Sequence, residues 1–137
     1  MTVMNWLFKE EPSNYSFDAF VKDGSAVWSG VRNPVAQRNL HAVKKGDRVF
    51  YYHTGDEKAV IGVAKAVSDP YPDPKLDDPR RVVVDVAPVR ALENPVALST
   101  FRTDAVLATT ELVRISRLSV MPITAAHLAR IEKLAKG

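Results

Sequence analysis

Cysteine is absent from the 137-residue chain. That removes disulfide frameworks, thiolate metal sites and cysteine nucleophiles together. Histidine is scarce, and His41, His53 and His127 stand at no metal-ligand spacing. The chain has no G-x-S-x-G elbow for a serine triad and no glycine-rich phosphate loop. Glu10-Glu11 is a carboxylate pair, but neighbours on a strand point to opposite faces and do not share one acid–base site. Pro72-Asp73 would open an acidic nuclease motif, yet Val82 to Val86 carries only Asp85 and no Asp/Glu-x-Lys follows. The aspartates between residues 69 and 79 lack the spacing of a calcium loop. These absences weigh against an enzyme and leave no residue set for a metal or cofactor. No apolar run approaches the roughly 20 residues of a membrane span, and the start, Met1 to Trp6, lacks the basic and apolar regions of a signal peptide. The expectation is a single domain over residues 1–137, soluble and cytoplasmic, with no membrane partner.

What is present is a chain with 46% hydrophobic and 26% charged residues, net +3 from 19 cations and 16 anions. The charge is unevenly spread. Trp28 to Phe50 holds five cations (Arg32, Arg38, Lys44, Lys45, Arg48) against Asp47 alone, whereas Asp69 to Asp78 holds four aspartates against Lys75. A basic patch beside a balanced surface is one footprint of nucleic-acid binding, and an ordinary solvated face is the other reading.

Local signals give the element order. Val3 to Phe8 reads as a buried strand. Ser16 caps a short helix that Gly24 closes, and Asn33-Pro34 opens a helix running to about Val43. Arg48 to His53 is rich in β-branched and aromatic residues and reads as a strand. Residues 54–58 form a hairpin loop returning as Ala59 to Val67, where Gly62 marks a bulge or a close approach. Asp69 to Pro79 is irregular, Arg81 to Val89 is a strand, and Pro95 to Phe101 and Asp104 to Ala108 suggest short helices. Leu112 to Val120 reads as a further strand. Thr124 caps a last helix whose Leu128, Ile131 and Leu134 recur on one face. The order favours an α+β fold with a curved, barrel-like, mostly antiparallel sheet flanked by helices.

Several motifs, in order, point to a family. Trp6-Leu7-Phe8-Lys9-Glu10-Glu11-Pro12 with Tyr15-Ser16 resembles the W-L-x-K-x-E-P-x-x-Y-S opening of EVE domains. Trp28 to Asn33 is similar to their W-x-G-V-R-N segment, and Gly46 to Thr54 to their G-D-x-V-x-F-Y-H-S strand, with Thr for Ser. Tyr71-Pro72-Asp73-Pro74 and Arg117-Leu118-Ser119-Val120 also match. The chain departs from the family where Pro34-Val35 stand in place of the usual Tyr-Gln. The resemblance implies a PUA-like fold and a kinship with YTH domains, whose corresponding Trp walls a methyl-base cage. It implies a non-enzymatic partner of DNA or RNA that captures a modified base, modified cytosine first. An enzyme acting on a nucleobase-like small molecule and a protein-interaction module are the alternatives.

A reader extrudes one base, stacks its face on apolar planes and satisfies its polar edge. On that basis Trp28 is the stacking wall beside Ser29, and its loss is expected to remove selectivity while leaving the fold intact. Trp6 is a second wall or core, and Tyr51 and Tyr52 face opposite ways, so at most one lines any single cavity, with Tyr51 the candidate. Lys9, Asn33, His53 and Ser119 are candidates for base-edge bonds. Arg32, Arg38, Lys44, Lys45 and Arg117 are candidates for backbone phosphates.

Overall fold

The computed structural model describes residues 4–136. The strand expected from Val3 runs instead over β1, Asn5–Glu10, and Val3 itself lies outside the described residues. Two short helices follow, α1 (Pro12–Tyr15) and α2 (Phe17–Asp23). The Ser16 side chain accepts from Ala19 N–H at the start of α2, and left-handed Gly24 ends it, as the sequence predicts. Next come β2 (Ala26–Trp28) and α3 (Pro34–His41). Asn33 Oδ1 caps α3 by accepting from Val35 and Ala36 N–H at 2.9 and 3.0 Å. Strands β3 (Arg48–His53), β4 (Ala59–Ala66), the two-residue β5 (Tyr71–Pro72) and β6 (Val82–Ala97) complete the middle of the chain. Helix α4 (Leu98–Thr103), a 3-10 turn (Leu107–Thr109), α5 (Glu111–Arg114), β7 (Val120–Ile123) and α6 (Ala125–Ala135) close it.

The strands form one sheet in the order β2-β6-β4-β3-β1-β7, with β5 beside β6. Every pairing is antiparallel except β1 with β3. This is the expected α+β architecture, a mostly antiparallel sheet with helices packed on it. Register shifts interrupt β3–β4 between Tyr51 and Tyr52 and β4–β6 at Val60/Gly62 and Val63/Ala64. Bulges of this kind bend a sheet. Gly62 sits at such a break for a steric reason: a Cβ there would lie 2.4 Å from the Phe17 ring.

Two expectations are corrected. Residues 112–120 are not one strand. Leu112 is buried in α5, Leu118 N–H turns back to the Ile115 carbonyl at 3.1 Å, and pairing begins at Val120. Strand β6 runs far beyond Val89 and takes in Pro95, because Pro88 and Pro95 fall at or beside the register breaks, where a missing N–H costs no ladder bond.

The pleat sorts β1 into two faces. Phe8 pairs with Tyr51 and Glu10 with His53, while Lys9 pairs with Tyr52. Phe8, Glu10, Tyr51 and His53 therefore share one face, and Lys9 and Tyr52 share the other.

Candidate functional site

On the first face an aromatic stack fills the core. Trp28 lies 5.2 Å from Phe8 and 5.4 Å from Tyr51, and Phe17 and Phe20 pack on Tyr51. Trp28 is only 5% exposed, so it is a core residue whose rim alone reaches solvent. That burial weighs against the expectation that its removal spares the fold. That rim and Ser29 line a depression of about 390 Å³ shared with Glu10, Asn14, Tyr15, Asp23, Ser25, Ala26 and Val27. The lining carries two carboxylates and no cation. Glu10 Oε1 accepts from Glu11 N–H at 3.0 Å and from the Asn14 amide at 3.1 Å. The Tyr15 hydroxyl donates to Asp23 at 2.7 Å. Burial first, then that bond to Asp23, pushes the Tyr15 hydroxyl up to about 12. It stays protonated, and the site offers acceptors more readily than donors.

On the second face lies a smaller basin of about 280 Å³, lined by Lys9, Tyr52, Thr54, Gly55, Lys58, Leu98, Arg102 and Ser116. Its charge is opposite, three cations and no acid. Lys9 Nζ donates to the Ser116 carbonyl at 2.7 Å and lies 5.9 Å from the Tyr52 ring centre. Burial holds the Lys9 ammonium below its usual value, and burial raises Tyr52 while the Arg102 charge lowers it. The Glu11 carboxylate stands at the rim, where its Oε2 accepts from the Thr54 hydroxyl at 3.1 Å.

The expected base-binding residues are thus divided. Trp28 and Ser29 line the acidic depression, and Lys9 lines the cationic basin. Tyr51 stands behind Trp28 with its hydroxyl donated to the Tyr15 carbonyl, and burial drives it well above the usual tyrosine range. Trp6 is in the core, 3% exposed, its indole N–H donating to Asp47 at 2.9 Å. His53 is buried with both ring nitrogens committed: Nε2 accepts from Phe17 N–H at 3.0 Å, so Nδ1–H donates to Glu57 at 2.8 Å. Asn33 spends its carbonyl on capping α3. Ser119 gives its carbonyl to Lys9 N–H at 2.9 Å. Arg32, Arg38, Lys44 and Lys45 are exposed around α3, outside the linings of both depressions, and Arg117 is exposed next to Ser116 of the basin.

Some lining residues escape sequence reasoning. Glu10 was recoverable, since it alternates with Lys9 and shares parity with Phe8. Asn14, Tyr15 and Asp23 join the site only when α1 and α2 fold over the end of β1. Lys58 and Arg102 carry no local signal, because Arg102 reaches Tyr52 only through the docking of α4.

A family model, EVE domain, matches residues 4–134. Thymocyte nuclear protein 1 of Mus musculus is 29% identical over 153 residues, covering 87% of this chain and 68% of that protein. The solved structure of Rpa0253 from Rhodopseudomonas palustris superposes with a TM-score of 0.93 at 38% identity, over 98% of this chain and 94% of that one. Human THYN1 protein, solved in complex with 5-methylcytosine containing DNA, superposes with a TM-score of 0.84 at 28% identity, covering 98% of each chain.

Proposed function

The chain belongs to the EVE domain family, and from that premise we propose that it binds nucleic acid and captures one modified base, 5-methylcytosine in DNA, at the depression beside Trp28. The observation that carries this is the lining itself: an aromatic rim, a serine and two carboxylates in one recess, in a chain whose fold overlays a relative solved with 5-methylcytosine DNA.

The chemistry fits cytosine. Its N4 amino group is a donor, and a Glu or Asp acceptor is the usual partner for it. Glu10 Oε1 already takes two internal donors, which orients the carboxylate and leaves its other oxygen for a ligand. Asp23 is oriented by Tyr15. The same carboxylates repel phosphate, so a base entering here leaves its phosphates outside. A methyl at C5 gains about 0.8 kcal/mol for each buried carbon, and the rim of Trp28 with Ala26 and Val27 is the apolar surface it would meet. Extrusion from the stack costs a few kcal/mol, which is why hydrogen bonds at the polar edge must accompany stacking.

Fluorescence anisotropy with matched oligonucleotides tests the proposal. The set holds single- and double-stranded DNA and RNA, each plain, with 5-methylcytosine or with methylated adenine. Tenfold tighter binding of a 5-methylcytosine DNA, equivalent to about 1.4 kcal/mol, is the expected result. Equal binding of plain and modified strands refutes base reading, and preference for an RNA member transfers the function to RNA.

A further inference from the structure

The cationic basin plays no part in holding the base as proposed above. Its contents are nevertheless specific. Lys9, Lys58 and Arg102 come from β1, from the β3–β4 hairpin and from α4, and fold into one recess. None of the three has an ion-pair partner within 4 Å among the described residues, whereas Arg48, Arg80, Arg90 and Arg130 each hold a carboxylate. Three converging like charges with the Glu11 carboxylate alone at the rim cost electrostatic free energy, a cost that a bound anion reduces.

Shape and surface chemistry narrow the anion. At about 280 Å³ the basin falls just below the roughly 300–1,000 Å³ of pockets that take whole small molecules. Its aromatic ring, Tyr52, is 2% exposed and covered by the Lys9 ammonium, so no flat face is open for a base to stack on. Donors without a stacking platform suit a phosphate group. The basin and the Trp28 depression share β1 as a common wall, through Lys9 and Glu10, which are adjacent in the chain.

We propose that Lys9, Lys58 and Arg102 form an anion site for a phosphodiester of the same strand whose base enters the Trp28 depression. Lys9 supplies a partly dehydrated ammonium fixed by the Ser116 carbonyl, while Arg102 and Lys58, both exposed, close on the phosphate from the rim. The site rests on the base-capture function proposed above, and it locates phosphate contacts away from the basic stretch around α3.

Two measurements on the whole chain test it. The first is binding of 5-methylcytosine and plain DNA oligonucleotides at several salt concentrations, for the wild type, Lys58→Gln, Arg102→Gln and, as a charge-matched control, Lys75→Gln. Each basin variant is expected to weaken both oligonucleotides about equally, by about fivefold at 0.1 M salt. The log–log salt slope should be shallower by about 0.7 per lost contact on a single strand, with Lys75→Gln unchanged. The second is titration with inorganic phosphate followed by backbone amide NMR shifts, expected at Thr54, Gly55, Lys58 and Arg102. Wild-type binding left unchanged in both basin variants overturns the anion site while base capture stands. Phosphate shifts in the basin without any loss of oligonucleotide affinity mark a free-anion site and overturn the phosphodiester assignment. A wild type that binds no oligonucleotide at all refutes base capture itself and this assignment with it.

Discussion

Lys9 and Glu10 are consecutive on β1, yet the pleat sends one into a cationic basin and the other into an acidic depression. The walls differ as much as the charges. Beside Glu10 stand Trp28, Tyr51 and Phe8, which belong to the core of the molecule, so the base capture proposed there would be coupled to stability. Beside Lys9 stand Lys58 and Arg102, exposed side chains whose loss leaves the core untouched. One recess is built by packing, and its walls are expensive to alter. The other is built by placement of charge and tolerates substitution.

The sharpest way to break the contrast is Trp28→Ala. Removing this 5%-exposed indole is expected to cost about 3–5 kcal/mol, read as the shift in denaturant-induced unfolding, with binding to all oligonucleotides lost together. A loss below 1 kcal/mol would mean that the tryptophan is a pocket wall and not core. Gly62→Ala tests the same side from behind. The new methyl drives into the Phe17 ring, and an overpacking cost of about 1–3 kcal/mol follows, measurable by thermal melting. Basin variants such as Arg102→Gln should melt with the wild type.

A smaller effect separates recognition from packing. Glu10→Gln keeps the carbonyl that accepts from Glu11 N–H and the Asn14 amide but exchanges the second acceptor for a donor. The expected outcome is an unchanged melting temperature with discrimination between cytosine and thymine strands reduced about tenfold, near the low end of one specific base contact. Retained discrimination would exclude Glu10 as the partner of N4.

The smallest effect is pH dependence on the basin side. His127 Nδ1 accepts from Thr124 N–H and its other nitrogen meets the Thr109 hydroxyl at 2.8 Å, tying α6 to the 3-10 turn that packs on α4. Burial lowers His127 from its ordinary 6.5. The folded state therefore prefers the neutral ring, and its contribution is complete above about pH 6.5 and declines as the pH falls below that value. Unfolding free energies between pH 8 and 5 should fall in the wild type and stay flatter in His127→Gln. Parallel curves would exclude His127 as the source.

Where the chain signals locally, the sequence is legible. Ser16, Asn33-Pro34 and Thr124 are side-chain caps that act within three residues, and all three start helices as read. The β3 strand likewise follows from its own composition. Leu112 to Val120 misleads because its β-branched Val113, Ile115 and Val120 suit a strand, while burial of both Leu112 and Leu118 is met by a helical turn and a reversal. Buried polar bridges were also invisible. Gln37 donates to the Val31 and Val82 carbonyls and accepts from Val82 N–H, a contact set by the docking of α3. The candidate site divides in the same way: Trp28 and Ser29 are read from a short motif, whereas Asp23, Lys58 and Arg102 depend on how distant segments meet.

The position of β1 between β3 and β7 bears on how the protein comes into being on the ribosome. Met4 finds its partner 43 residues downstream and Lys9 reaches a carbonyl 107 residues away. Such distant pairings close late, after the entropy of long loops has been overcome. Ser116 lines the cationic basin, so that recess is complete only once the 116–123 segment has left the exit tunnel and docked beside β1, whereas the Trp28 depression takes its whole lining from residues between Glu10 and Ser29. The two recesses therefore come into being at different stages of synthesis, the cationic one last.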